Sequence, residues 1–402
     1  MNAAQSHKLS MKDKIKVAIV GAGKTGRGFV ARFAKQGNAE LAFIDSSEEL
    51  VKMINEDRGY TIHFFGGGRG PIRIDGVRAA MAGSDLAIDW MADADLIFTA
   101  VGESNLINLA VPLLEAMKRR SELHKRRPVY VVTCENGVNP GKALMDAWTA
   151  AGGNPEILIV AEAAIFCSSV EMPGTRLDIQ SESYDELPYD SHVLPEAYRL
   201  PGMVPEPRFR ELLQRKIYTY NCLSACIAYL GALKGYEMYA DAAADPDICT
   251  VLEQVLEPLN RALSAKMNLP LRSQEDFARR ALRKFQDPSI RDDISRNARD
   301  VPRKLGPKER LIAPAKIIEE AGGDCAALAL AAAAALHYRG PDESDLHDLL
   351  NKYGVEEGLC KISGLATSDA FLLRVSRYYR ALHERNRGEA ISFEKLLDIV
   401  GD

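Results

Sequence analysis

Lys216, Asn221 and Ser224 lie in a stretch, Lys216–Gly231 (KIYTYNCLSACIAYLG), that otherwise holds little that is polar. A helical reading spreads Ile217, Tyr218, Leu223, Ala225, Ile227, Ala228, Tyr229 and Leu230 around the whole wheel. That is the pattern of a helix buried on all sides. At about 100° per residue, Lys216, Asn221 and Ser224 fall within an arc of roughly 140°, and Tyr220 shares it. An ammonium, an amide and a hydroxyl on one stripe of a buried helix need partners. One reading is a structural network, since buried polar groups are usually hydrogen-bonded within the protein. The other is a catalytic face. The stretch alone leaves both open.

A second group of residues has the spacing of a phosphate cradle. GAGKTG, Gly21–Gly26, matches G-x-G-x-x-G, follows the β-branched apolar run Ile15–Val20 and opens a helix ending at Gly37. The pattern carries meaning in that context. Gly21 permits a tight turn, Gly23 lets the backbone approach a pyrophosphate, and Gly26 allows close helix–strand packing. Lys24 and Thr25 sit in the same turn, where the helix amino terminus offers N–H groups and a positive dipole end. Asp45 ends the next apolar run about 20 residues on, where a carboxylate accepts hydrogen bonds from adenosine ribose hydroxyls. It would repel a 2′-phosphate, so the expected cofactor is NAD rather than NADP. The alternative is a glycine turn that merely packs a helix.

Around these residues, the first half of the chain alternates strand and helix. IKVAIV, ELAFID, DLIFTAV, PVYVVT and EILIVA read as strands with helical segments between them. Such alternation implies a largely parallel, doubly wound sheet. Thr99, Val101 and Gly102 close one strand at its carboxyl end, the edge that lines a cofactor crevice in such sheets. Asn136 follows the next strand, placed to hydrogen-bond a polar substrate or the nicotinamide ribose, or simply to form a turn before Gly137. Arg58–Met81 interrupts the rhythm and reads as an antiparallel excursion around GGGRG. From Glu171 to Pro207 prolines recur and periodicity fades. Beyond it, helices are expected over 208–235, 247–267, 274–285, 288–297, 309–321, 325–338, 343–353, 355–362 and 368–386.

The fold class expected is therefore α/β plus all-α. A mobile polar tail over 1–14 precedes a Rossmann-type doubly wound domain over 15–205 and a mostly helical domain over 206–402. At 402 residues, with 47% hydrophobic and 27% charged residues, the chain has ample core for two domains. A net charge of -5 with mixed signs gives no reason to expect nucleic acid. No apolar run approaches the roughly 18 residues of a membrane span. Seven cysteines without a zinc-type double pair suit reduced thiols and a cytoplasmic location. No metal is expected, the pair Cys222 and Cys226 included.

With these motifs in place, the chain resembles the polyol-specific long-chain dehydrogenases, and within them the branch acting on mannitol 1-phosphate. The likeness runs through GAGKTGRGF, DLIFTAVG, TCENGV, KIYTYNCLSACIAYLG, DVPRKLGPKERLIAPA and KISGL. It implies an NAD-dependent oxidoreductase that interconverts a polyol, or its phosphate, with a ketose, without zinc. The family signature is Lys-x4-Asn-x2-His. Lys216 and Asn221 match it, and Ser224 stands where the histidine belongs. The resemblance makes Lys216 the general base, and Asn221 and Asn136 the ligands of the reacting oxygen. Burial and neighbouring cations can bring a lysine toward a pKa of roughly 7–8, which such a base needs. Phe166 and Cys167 occupy the places of an Asp-Arg pair usual in the family.

Arg303, Lys304 and Arg310, with Lys308, form a basic cluster that reads as a clamp for a substrate phosphate or hydroxyl groups, or as a solvated charged face. Ser224 joins them as an expected substrate contact, and His337 reads as a packing residue. The expected partner is a small polyol or sugar phosphate, with no nucleic acid or membrane, in a monomer or small homo-oligomer. Two alternatives remain: an NAD-binding sensor that has lost the reaction, which the missing histidine suggests, and a dehydrogenase of a sugar acid.

Overall fold

The computed structural model describes residues 14–124, 127–137, 139–341, 343–384 and 392–400. The expected tail up to residue 13, Lys125 and Arg126 of the basic run, Val138 of TCENGV and the end of the helix expected to Asn386 lie outside them. The chain forms two compact units, the first ending at Leu212 and the second beginning at Leu213. The sequence reading puts this division near residue 205.

In the first unit the strands are β1 Lys16–Val20, β2 Glu40–Asp45, β3 Gly59–Phe64, β4 Ile72–Asp75, β5 Arg78–Met81, β6 Leu96–Thr99, β7 Val129–Thr133 and β8 Leu158–Glu162. Six of them form a parallel sheet in the order β5-β2-β1-β6-β7-β8. Counted along the chain, that order is 3-2-1-4-5-6, the doubly wound arrangement of two mononucleotide-binding halves. Side chains alternate across it, as the strand period of two requires. Val17, Ile19, Phe43 and Phe98 enter one buried cluster, while Ala18, Val20, Ile44 and Ile97 enter the other. Both faces are covered, so the strands read as continuous apolar runs.

The excursion is smaller than expected. β3 and β4 pair antiparallel, but Arg78–Met81 leaves them and joins the main sheet beside β2. The turn at Gly76, with φ of 69°, separates the two pieces of what reads as one strand segment in the sequence. β9 Ser169–Glu171 and β10 Ile179–Ser181 complete a second sheet, β4-β3-β10-β9. β11 Leu187–Asp190 and β12 Met203–Glu206 pair with each other, so the proline-rich stretch is structured.

The second unit is helical among its described residues. Its centre is Ala326–His337, buried throughout from Ala326 to Leu336. Small side chains let neighbours approach closely, and this helix packs on Cys222–Lys234 and Ala370–Glu384. Pro246–Lys266 and Leu271–Phe285 flank the same core. The expected helices over 343–353 and 355–362 are one element, Ser344–Ser363, broken at Gly354 where φ is 78°. The helix expected over 288–297 shrinks to Ile294–Ala298, and Tyr239–Ala244, Val301–Lys304 and Phe393–Val400 were not anticipated.

Candidate active site

The glycine turn has the form a dinucleotide needs. Gly21 has φ of 98°, and a side chain there would overlap the Ala100 carbonyl beyond β6. A Cβ on Gly26 would overlap the Gly21 carbonyl. A Cβ on Gly23 would meet nothing within 4 Å, so the backbone at this position faces open space. Lys24 is exposed and Thr25 half-buried at the start of the helix. That helix begins with a wider turn, Gly26–Val30, in which the Ala31 N–H reaches the Gly26 carbonyl. The Asp45 carboxylate accepts from the Ala22 N–H at 2.7 Å and the Ser47 N–H at 2.9 Å. A carboxylate has about four lone-pair sites, so capacity remains for ribose hydroxyls. The residues present fit NAD: an open glycine cradle at a helix amino terminus, with an acid at the end of β2.

At the ends of β6 and β7 the structure adds a residue to those expected. Glu135 is 3% exposed. Its carboxylate accepts from the Thr99 hydroxyl at 2.8 Å and from the Val101 N–H at 3.1 Å. Burial pushes its pKa up to about 7, against the pull of these hydrogen bonds and with a smaller push from Glu103. Thr99 is wholly buried, so its hydroxyl serves Glu135. Gly102, with φ of 85°, turns the chain away from β6. Asn136 follows Glu135, and the Glu103 carboxyl lies over the next residue, Gly137. Within this unit the structure thus gathers Gly21–Gly26, Asp45, Thr99, Val101, Gly102 and Asn136 along the carboxyl edge of one sheet.

In the second unit the helix carrying Lys216 is not regular. Phe209–Lys216 and Cys222–Lys234 are joined by a π-helical turn, Ile217–Asn221, whose closing bond runs from the Cys222 N–H to the Ile217 carbonyl. β-branched and aromatic residues here disfavour a tight α-turn. A second grip comes from Gln274, wholly buried, which donates to the Thr219 hydroxyl at 2.9 Å and to Asn260 at 3.2 Å. Arg215 in turn donates to Gln274 at 2.7 Å. An i→i+5 turn stacks residue i+5 near residue i. It brings Asn221 toward the line of Lys216, narrowing the arc expected of an α-helix.

The stripe is also more open than its surroundings. Tyr220, Asn221 and Ser224 are half-buried, whereas the other residues from Lys216 to Gly231 are buried. Lys216 is 4% exposed. Burial lowers its amine to about pKa 7, helped by the charges of Lys284 and Arg310. Tyr220 meets the Phe277 ring edge-on at 4.9 Å, and the Ser224 carbonyl accepts from the Tyr239 hydroxyl at 3.3 Å.

The basic cluster is internally paired. Glu309 accepts from Arg303 at 3.4 Å and from Arg310 at 3.1 Å, and Arg303 also pairs with Asp300. Lys304 is buried, donates to the Asn297 carbonyl and lies over the Tyr229 ring at 5.5 Å. Burial, then Arg310 and Arg303, lower its amine to about pKa 7. Arg310 therefore acts on both depressed lysines, Lys216 and Lys304. His337 stacks on Tyr379 at 4.1 Å and bonds to its carbonyl at 2.9 Å.

Phe166 and Cys167 lie in the first unit. Phe166 is buried near Tyr184, and the buried Arg32 guanidinium reaches the Cys167 sulfur at 3.1 Å. Glu135, Gln274 and Lys284 are not singled out by the sequence. Glu135 stands in TCENGV beside an expected site residue, but its character comes from burial. Gln274 and Lys284 reach the Lys216 helix from more than 50 residues downstream, and no local signal marks them.

Comparison with known proteins matches residues 15–172 to a mannitol dehydrogenase Rossmann domain and residues 209–352 to a mannitol dehydrogenase C-terminal domain. A mannitol-1-phosphate 5-dehydrogenase from an Exiguobacterium species is 28% identical over 386 residues, covering 93% of this chain and 99% of that one. The fold is shared with Pseudomonas fluorescens mannitol 2-dehydrogenase, solved with NAD and D-mannitol, at a TM-score of 0.79 and 14% identity over 97% of this chain and 94% of the other. It is also shared with a substrate-free D-sorbitol dehydrogenase, at a TM-score of 0.72 and 15% identity over 92% and 93%.

Proposed function

From the premise that the chain belongs to the mannitol dehydrogenase family and is an NAD-dependent oxidoreductase of the polyol class, we propose that it interconverts a polyol phosphate of the mannitol 1-phosphate type and the corresponding ketose phosphate, with Lys216 as general base. The observation that carries this reading is the half-open polar stripe on an otherwise buried helix, with the Lys216 amine held near pKa 7. The phosphate is supported by the full-length likeness to a mannitol-1-phosphate 5-dehydrogenase.

In this reading NAD, when bound, accepts a hydride from the carbinol carbon. Lys216, neutral at the working pH, takes the hydroxyl proton as the carbonyl forms. A lysine at its ordinary pKa would be almost fully protonated near pH 7 and could not do so. Asn221 donates its amide N–H to the same oxygen and stabilises the negative charge that develops there. Asn136, in the first unit, is assigned a hydrogen bond to the nicotinamide ribose or to a polar group of the substrate. Arg303 and Arg310 are the phosphate partners, and Glu309, which pairs with both, must share them with the anion. Ser224 offers a hydroxyl where relatives of this signature carry an imidazole, a change that removes a cationic contact and favours a differently hydroxylated substrate.

The test is a spectrophotometric panel: purified chain, NAD+, and alditols, alditol phosphates and sugar acids. Formation of NADH with alditol phosphates well above the parent alditols is expected. Turnover of sugar acids alone would move the reading to a carboxylate substrate. Bound NAD+ without turnover on any member would favour the sensor.

A further inference from the structure

Glu135 stands at the carboxyl end of β7, in the second set of three strands, β6-β7-β8. In this sheet order the two halves divide the dinucleotide between them, and the second half takes the nicotinamide portion. Asp45 serves the first half, and Glu135 is the buried acid of the second. Its two oxygens hold the Thr99 hydroxyl and the Val101 N–H, so it fixes the end of β6 and the first turn beyond it. Among the described residues, these groups face it. From β6 and its turn come Thr99 and Val101, both neutral donors. From the residue before it come the Cys134 N–H, a further donor, and the Cys134 thiol, which burial pushes upward and so keeps protonated. From the short helix Glu103–Leu106 comes Glu103, a charge of like sign. Burial and the second acid favour its protonated form, and the donors favour its carboxylate. The arrival of a cation decides between them.

The two redox forms of the cofactor differ by that cation: the nicotinamide ring is positively charged in NAD+ and neutral in NADH. We infer that Glu135 is a positioning residue that couples cofactor charge to a proton, so that NAD+ binding releases the Glu135 carboxyl proton to solvent and NADH binding does not. The acid becomes a carboxylate, the proton leaves to buffer, and no other bond changes. The inference rests on the dinucleotide assignment and not on the role given to Lys216. Binding that releases a proton tightens as pH rises, by up to about tenfold per pH unit below the midpoint and not at all well above it. Affinity for NAD+ relative to NADH therefore climbs from pH 6 to pH 8.

The experiment is isothermal titration of the full chain with NAD+ and with NADH at pH 7, in buffers of different ionisation enthalpy. The wild-type chain is expected to release roughly half a proton per NAD+, given a midpoint about 7, and close to none per NADH. Glu135→Gln should bind NAD+ without the release. Lys216→Met and Lys304→Met should each keep the release, which separates Glu135 from the two amines that also titrate near pH 7. Equal proton counts for the two cofactors in wild type, or an undiminished release in Glu135→Gln, would overturn the inference. The wild-type comparison stands even if the Gln variant fails to fold. A chain that bound neither cofactor would overturn the dinucleotide assignment and this inference together.

Discussion

At the scale of the residue, one amine is proposed to carry the chemistry. The Lys216 ammonium is disfavoured first by burial and then by Lys284 and Arg310. Replacing Lys284 by Gln removes one of those charges, and the midpoint of the oxidation-rate profile should move to higher pH; a profile that stays in place would show that Lys284 does not act on the base. The same amine leaves a mark on stability. Its pKa is about 7 in the folded chain against 10.5 for an unburied lysine, so the unfolded chain binds the extra proton between those values. The destabilisation from burying it is complete below pH 7 and fades as pH rises toward 10.5. Lys216→Met should therefore melt at a higher temperature than wild type at pH 7, with the gain shrinking toward pH 10. A gain that is flat with pH would argue that the amine is charged in the folded state. Lys216 and Asn221 were legible as candidates because their residue types are out of place in a buried helix, and Asn136 because it follows a strand at the sheet's carboxyl edge and matches the family motif. Glu135 was not, because an acid after a strand looks ordinary until its burial is known.

At the scale of the element, two wider turns mark the two candidate sites, Gly26–Val30 at the cofactor cradle and Ile217–Asn221 at the base. Such turns recur at functional positions in helices. Sequence periodicity assumes about 3.6 residues per turn and so could place the polar stripe but not its true width. The missing information sat in Gln274, whose amide grips Thr219 from another helix. Gln274→Ala leaves the Thr219, Asn260 and Arg215 groups short of a partner and should cost about 1–3 kcal/mol, read by denaturant unfolding. It should also lower turnover more than NAD+ affinity, since the turn adjoins Lys216 and not the cradle. Equal losses in both would mean the network is purely structural. At the cradle, Gly21→Ala forces a side chain against the Ala100 carbonyl at φ of 98°. Such strained positions cost of order 1–3 kcal/mol, and NAD+ binding by calorimetry should weaken with it. The division of PIRIDGVRAA between two sheets was hidden for a different reason. Both halves have strand character, and only the pairing partners of each decide which sheet it joins.

At the scale of the whole molecule, the alternation of apolar runs with helical segments was enough to specify a doubly wound sheet followed by a helical unit. The strand order 3-2-1-4-5-6 and the second sheet were not readable, because they depend on pairings between distant runs. No helix among the described residues is long and apolar enough to cross a membrane. Saturating NAD+ should slow amide exchange in the first unit around Gly21–Gly26 and at the ends of β2, β6 and β7, as ligand binding stabilises what it touches. Protection confined to the second unit would contradict the cradle. Lys216 as the general base is tested most directly by NADH formation from an alditol phosphate, with wild type and Lys216→Ala, followed from pH 6 to pH 9. The wild-type rate should rise with pH through about 7, and the variant should bind NAD+ normally yet lose about 10²- to 10⁴-fold in rate. A variant that turned over at the wild-type rate with the same pH dependence would contradict that role.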